Sequence, residues 1–185
     1  VQLLTIILVM NLLSGARALT YDGGIDWWGR APTVIDCYAD KADSQKGKCS
    51  VISVDSDGTT LTRGTSVTVN DGATTNIFTT PLSDTTAIVC YKDEDNSDQA
   101  TCNHLTLSSD GSTITKGTDL VVRDDATQTT PVVGMTPDTA IVCHWSYSDD
   151  PNCNVLTVGS DDSLTMGDGF DGFPGVTQMN QIFLT

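Results

Sequence analysis

The sequence predicts an all-β fold made of tandem four-stranded antiparallel sheets, and two observations support this prediction. The first is composition: Thr, Ser, Asp, Gly and Val dominate the 185 residues, and runs of the helix formers Ala, Glu and Lys are scarce. The second is an internal repeat, because Cys37, Cys90 and Cys143 follow one another at intervals of 53 residues. A fixed period of this length indicates that each copy is one small supersecondary unit.

Each copy has a second cysteine, and the six cysteines together predict disulfides rather than a metal site. Zinc sites need close pairs such as C-x₂-C or several histidines, whereas this chain has no C-x₂-C pair and only two His. In a secreted chain, an even number of cysteines at repeated spacing indicates a disulfide framework. Of the connectivities that six cysteines allow, the repeat favours pairing within each copy. The predicted disulfides are Cys37–Cys49, Cys90–Cys102 and Cys143–Cys153.

The middle copy contains four β-like runs in succession, which are the predicted strands of one sheet. The second run is apolar enough to be buried, and the third alternates with Leu105 and Leu107 on one face. In the fourth run, Gly117 predicts a bulge or a bend. The four predicted strands are Asn76–Leu82, Thr86–Tyr91, Cys102–Ser108 and Ser112–Val122.

Short turns rich in Asp and Gly join the third and fourth runs. Asp110-Gly111 stands there in the middle copy and Asp57-Gly58 in the first. Asp-Gly between alternating runs predicts a hairpin with a type I′ turn, in which both central residues have positive φ. The third copy has Asp161-Asp162-Ser163 at this place and lacks the glycine, which predicts a different turn.

Four antiparallel strands per period of about fifty residues is the pattern of a β-propeller blade. The stretch "PLSDTTAIVCYKDEDNSDQATCNHLTLSSDGSTITKGTDLVV" of the middle copy resembles a propeller-type repeat of secreted algal proteins and of marine microbes and their viruses. Members of that family have an "LSSTxxVVxYxDxxNS" stretch, then a "GT" step, a "VSGTTL" hairpin and a "GxxLVV" strand. The resemblance spans about Thr33 to Leu184 and implies a propeller-like scaffold without agreed catalytic residues. Asp36 in the first copy, and His144-Trp145 and Pro151 in the third, depart from the pattern.

The chain divides into a leader and successive copies of the repeat. Leu3 to Leu13 is apolar and too short to span a bilayer, and Ala16-Arg17-Ala18 follows it as an A-x-A cleavage pattern. We expect either a secretory signal peptide or an apolar strand retained in the mature protein. The predicted segments are the leader 1–18, a lead-in strand 19–32, repeat 1 at 33–83, repeat 2 at 84–137, repeat 3 at 138–167, and the start of a fourth repeat at 168–185.

The number of copies is lower than a closed propeller needs, since such rings typically have four to eight blades. Three copies and part of a fourth predict an incomplete propeller. We expect either that the chain is a fragment of a longer protein, or that further copies complete it by forming a ring or filament. In the second case the apolar N-terminal run could be donated as a strand to a neighbour.

The formal net charge of −15, from 24 acidic and 9 basic side chains, bears on the class of partner. A strongly acidic surface repels phosphate backbones, which argues against nucleic-acid binding. Six cysteines and the predicted leader favour a secreted protein without membrane attachment after signal cleavage.

Three kinds of site are candidates. Clustered carboxylates in the loop between the second and third runs of the middle copy could bind calcium, although the spacing does not fit an EF-hand. Exposed aromatic side chains could stack on sugar rings. For catalysis we expect no residues, because His104 and His144 follow cysteines within strands and the acids recur in equivalent loops. The candidate metal ligands are Asp93, Asp95 and Asp98, beside Glu94, and the candidate glycan-stacking residues are Trp27, Trp28, Trp145 and Tyr147.

Together these features predict an extracellular structural or adhesive β-repeat protein that is not an enzyme and that associates with itself or with further blades. We expect the protein to have no cofactor, and Ca²⁺ is the one candidate. The alternative is a carbohydrate- or calcium-binding propeller module. A further alternative is a fragment of a glycoside hydrolase, because acids are plentiful and paired carboxylates cut glycosidic bonds.

Overall fold

The computed structural model describes residues 33–55, 58–146 and 151–171. In these ranges the fold is all-β, and the sheets are antiparallel. Within the same ranges no helix is long and apolar enough to cross a membrane. The predicted leader, the lead-in strand and residues 172–185 lie outside the described residues. The prediction of an all-β fold is confirmed.

The larger sheet has eight strands and curls into a half-barrel. Its main path runs in the order β1-β2-β4-β5-β6-β7, while β3 pairs with β2 and β8 pairs with β6. The strands of the main path are therefore neighbours in chain order, as in a meander, whereas β3 and β8 lie off this path. The eight strands are β1 Thr33–Asp40, β2 Lys46–Val54, β3 Leu61–Arg63, β4 Val67–Pro81, β5 Thr86–Asp93, β6 Gln99–Leu107, β7 Ile114–Lys116 and β8 Leu120–Arg123.

The smaller sheet has four strands in the order β12-β11-β10-β9, so it is also a meander. It contacts the larger sheet through β9, where the N–H of Gly134 donates a 2.8 Å hydrogen bond to Oγ1 of Thr80. A Cβ on Gly134 would collide with the carbonyl oxygen of Pro81, so the two backbones approach closely there. The four strands are β9 Val132–Thr136, β10 Thr139–His144, β11 Asn152–Val158 and β12 Leu164–Asp171.

The twelve strands divide into three sheet units, each built around one long hairpin. Unit 1 contains β1, β2, β3 and the first half of β4. Unit 2 contains the second half of β4 with β5 to β8, and unit 3 contains β9 to β12. Within each unit a long hairpin, β1–β2, β5–β6 or β10–β11, is flanked by shorter pairings.

The predicted strand Asn76–Leu82 is extended and pairs with β5 as far as Pro81, but it is the continuation of β4 and not a separate strand. The sequence Asn70-Asp71-Gly72 has turn composition, yet the chain stays extended there. The reason is a contact with the acidic loop: the N–H of Ala73 donates to Oδ2 of Asp95 at 3.0 Å. A Cβ on Gly72 would lie only 2.9 Å from Oδ1 of Asp93. Units 1 and 2 consequently share one strand.

The hairpins between the third and fourth runs form as predicted, but the turn of unit 2 is not of type I′. Gly58 and Gly111 have φ of 70° and 74°, and neither Ser109 nor Asp110 is left-handed. A type I′ turn would need two such residues. Asp110 explains the difference, because its Oδ1 accepts hydrogen bonds from Oγ of Ser108 and from the N–H of Ser112 and so stabilises right-handed backbone. These bonds lower the pKa of Asp110 to about 2.

In unit 3 the turn does differ from the other two, as the missing glycine predicts. It closes with a 2.8 Å hydrogen bond from the N–H of Gly159 to the carbonyl of Ser163. In unit 2 the corresponding hydrogen bond runs from the N–H of Ser108 to the carbonyl of Thr113. The loop is therefore one residue shorter. Asp162 takes the left-handed conformation there, with a φ of 62°.

A disulfide crosses the long hairpin of each unit. Its half-cystines are direct cross-strand partners, with Cα atoms 4.0 to 4.1 Å apart. A bond between directly opposed residues fixes the register of the two strands that it joins. The disulfides join Cys37 to Cys49, Cys90 to Cys102 and Cys143 to Cys153, which are the pairs that the repeat predicts.

Because side chains alternate along a strand, each unit has a cysteine face, which bears the disulfide, and a reverse face. The cysteine face of unit 1 packs on the reverse face of unit 2, and the cysteine face of unit 2 packs on the reverse face of unit 3. The first core contains Ile35, Cys37, Cys49 and Val51 against Ala87, Val89, Tyr91, Leu105, Leu107 and Ile114. The second contains Ile88, Cys90, Ala100, Cys102 and Val122 against Ala140, Val142, Leu156 and Leu164.

Candidate functional site

The acidic loop of unit 2 folds back onto β4. Glu94 accepts a 2.9 Å hydrogen bond from Oγ1 of Thr75, and Asp95 accepts the Ala73 N–H described above. The Lys92 ammonium lies 3.0 Å from Asp98 and 3.9 Å from Glu94. The loop ends with two left-handed residues, Ser97 and Asp98. The carboxylates of Glu94, Asp95 and Asp98 therefore have partners within the protein.

The acidic loop of unit 1 is arranged in the same way. The Lys48 ammonium lies 2.8 Å from Asp40 and 2.8 Å from Asp43. Hydrogen bonds from Lys48 lower the pKa of both carboxyls, and the same two bonds raise the pKa of Lys48. Each of the two described acidic loops thus carries a lysine that offsets part of its own negative charge.

The predicted calcium ligands are close in sequence, with Asp93 at the end of β5 and Asp95 and Asp98 in the loop that follows, but they point to different partners. Asp98 contacts Lys92, Asp95 caps the backbone of β4, and Oδ1 of Asp93 is buried without a hydrogen bond. Among the described residues, no group of three His, Cys, Asp or Glu side chains is arranged to hold a metal ion. Calcium binding stays a prediction, which a millimolar calcium titration followed by melting temperature would test.

Of the four predicted glycan-stacking residues, only one is described. Trp145 is half-buried, forms a bridge with Thr129, and accepts a 2.7 Å hydrogen bond at its carbonyl from the N–H of Gln128. Trp27, Trp28 and Tyr147 lie outside the described residues, and so do Asp149 and Asp150. Sugar stacking stays a prediction, and a glycan array would test it.

His104 and His144 lie inside the protein, between sheet units. His104 is on the cysteine face of unit 2, with Nδ1 3.4 Å from Oδ1 of Asp162 in the turn of unit 3. Burial lowers the pKa of His104, and the Asp162 carboxylate opposes this shift. Burial also lowers the pKa of His144, and the Arg123 guanidinium adds to that effect. Both imidazoles are placed as packing residues.

A polar cluster joins units 2 and 3, and no sequence pattern predicted it. Arg123, at the end of β8, pairs with Asp125 and lies 3.5 Å from Nδ1 of His144. Nε2 of His144 is 3.3 Å from Oδ1 of Asn154. Nδ2 of Asn154 donates a hydrogen bond to the carbonyl of Gly167. Such a network orients one sheet on the next, because each polar group there needs its partner once water is excluded.

Two glycines mark a second contact between units that sequence reasoning missed. A Cβ on Gly64 would lie 3.0 Å from the carbonyl oxygen of Ser112, and one on Gly117 would lie 2.5 Å from that of Asp162. Ser112 and Asp162 are the last residues of the hairpin turns of units 2 and 3, since each directly precedes the residue whose carbonyl closes the turn. The turn of each following unit is thus seated on a glycine of the unit before it. Gly117 was predicted to mark a bend, and it does separate β7 from β8.

Comparison of the chain with protein-family models and with curated proteins gave no match.

Proposed function

We propose that the chain is an extracellular structural module, a stack of disulfide-stapled sheets that serves as a rigid or adhesive building block. The observation that supports this proposal most is the one-way contact between units, which occurs twice with the same faces and the same glycine seats. Repeated use of one surface is typical of assembly, whereas catalysis needs different residues that converge on one place.

Location outside the cell is supported by the disulfides. Three of them occur in one small domain, and such bonds persist in oxidising compartments. In addition, Lys48 and Lys92 offset part of the negative charge of their acidic loops. The surfaces for association are therefore the sheets rather than the loops.

The propeller-like arrangement belongs to the same proposal. Successive units that pack cysteine face to reverse face agree with blades packed around an axis. The shared strand β4 makes units 1 and 2 more continuous than separate blades would be. The resemblance to repeats of secreted algal and marine microbial proteins points to the same class of scaffold.

Fractionation of producing cells combined with thiol labelling tests the proposal. We expect the protein in the extracellular fraction, with no cysteine modified by maleimide until the sample is denatured and reduced, and with six modified thereafter. The reduced sample is the control for access of the reagent. Recovery in the cytosol with free thiols would refute the extracellular role.

A further inference from the structure

The outer face of unit 3 repeats a surface that is covered in the other two units. Val155 lies on this cysteine face and is 45% exposed, whereas the equivalent residues Val51 and His104 are each 2% exposed. Those two are covered by the next unit along the chain. Phe170 of β12, which pairs with Cys153, is also exposed on this face.

The glycine seat of unit 3 is open as well. Gly167 corresponds to Gly64 and Gly117, and among the described residues a Cβ on it would meet only Val155 of its own sheet, at 3.6 Å. The same own-sheet contacts, at 3.6 and 3.5 Å, exist for Gly64 and Gly117. Those two also meet the carbonyl of a following turn, and no described residue places such a carbonyl on Gly167.

The complementary surface is exposed at the other end of the molecule. Leu61 lies on the reverse face of unit 1 and is 60% exposed, whereas the equivalent Ile114 and Leu164 are 8% and 6% exposed in the two cores. Beside it Arg63 stacks on Tyr38 at 4.2 Å. Its equivalent in unit 2, Lys116, spans the internal contact by donating to the carbonyl of Val69 at 3.3 Å.

In the first hairpin turn, the hydrogen bond of Gly58 matches that of Gly111 in the turn of unit 2. The N–H of Gly58 donates to the carbonyl of Asp55 at 2.8 Å, as that of Gly111 does to Ser108. Thr59 occupies the position of Ser112 and Asp162. The described residues therefore present two exposed surfaces, one on unit 1 and one on unit 3, that match each other in the way the internal surfaces do.

We propose that the reverse face of unit 1 in one copy of this chain docks on the cysteine face of unit 3 in another, with the Thr59 carbonyl seated on Gly167. The contact is heterologous, so it produces a ring if the rotation closes and a filament if it does not. This inference deepens the proposed structural role and rests on it. The occupant is a second copy because the same pair of faces already forms two interfaces within the molecule.

Three variants of the full chain test the docking by analytical ultracentrifugation over a concentration series. Val155→Asp changes one end, Leu61→Asp changes the other, and Val121→Asp places the same charge on a similarly exposed valine of β8 that lies at neither end. We expect wild type and Val121→Asp to form oligomers. Each end variant should raise the dissociation constant by about tenfold or more, because an unpaired carboxylate is costly to bury.

Mixing the two end variants identifies the direction of the contact. Each of them keeps one intact end, so an equimolar mixture should form heterodimers but no longer chains. Monomeric wild type, or a mixture that behaves like the separate variants, would overturn the head-to-tail contact. Unchanged circular dichroism and disulfide mapping show that the variants are folded. Fractionation of producing cells decides the structural role separately, so the two failures are distinguishable.

Discussion

At the scale of single residues, the contacts between units depend on two glycines, which have no side chain at the point where the next unit approaches. Gly64 and Gly117 are required by the carbonyl oxygen that approaches each of them from the next unit, and neither has positive φ. Their role is therefore to leave space, not to permit a turn. Gly167 has the same surroundings within its own sheet, but no carbonyl of the described part of the chain approaches it in this way.

The first prediction compares these glycines. Gly117→Ala should lower the free energy of unfolding by about 1–3 kcal/mol, because the added methyl group forces unit 3 away from unit 2. Gly167→Ala is the matched control, since its Cβ meets only an ordinary contact at 3.6 Å. We expect that control to stay within about 0.5 kcal/mol of wild type in urea unfolding at low protein concentration. Equal losses for both variants would show that the contact with the Asp162 carbonyl is unimportant.

The second prediction concerns pH and His104. Its pKa is lowered in the folded state, mainly by burial, so the unfolded chain binds the proton more readily. The neutral form therefore contributes stability above about pH 6.5, and this stability is lost as the pH falls below that value. Urea unfolding between pH 7.5 and 5 should show a decreasing free energy of unfolding. His104→Gln should reduce the pH dependence, with that of His144 remaining, and an unchanged slope would contradict this account.

At the scale of strands and turns, local chemistry was sufficient where the relevant contacts are local. The disulfide pairs, the long hairpins and the bend at Gly117 could be predicted from spacing and alternation. The continuity of β4 could not, because it depends on Asp95, which reaches Ala73 from a loop twenty-two residues away along the chain. The polar cluster around Arg123 and His144 also joins distant parts of the sequence. Calcium binding by Asp93, Asp95 and Asp98 stays a prediction, and the contact of Asp98 with Lys92 was not foreseen from the sequence.

The third prediction concerns the disulfides that cross the long hairpins. Replacement of both Cys90 and Cys102 by Ala should lower the free energy of unfolding by about 3 kcal/mol from loop closure, with a further loss from the cavity between units 2 and 3. Replacing Cys143 and Cys153 removes a loop of similar length, but Cys153 is only half-buried. We expect the smaller loss there, by urea unfolding of oxidised samples. Equal losses would mean that packing of the Cys90–Cys102 disulfide adds nothing.

At the scale of the whole molecule, two properties oppose each other. The chain has a net charge of −15 and a calculated isoelectric point of about 4.1, so copies repel one another at neutral pH. The two end surfaces nevertheless have exposed apolar side chains, Leu61 on unit 1 and Val155 on unit 3. Association therefore depends on whether burial of apolar area exceeds the repulsion.

The fourth prediction follows from that opposition. Screening shortens the reach of charge repulsion from about 30 Å at 0.01 M salt to about 10 Å at 0.1 M, whereas apolar burial persists. The average mass of wild-type particles should therefore rise with NaCl concentration at fixed protein concentration, measured by light scattering at neutral pH. Val155→Asp should stay monomeric over the same series, because its contact surface rather than its net charge is altered. A mass that falls with salt would instead mean that ion pairs, such as those of the lysines in the acidic loops, hold the copies together.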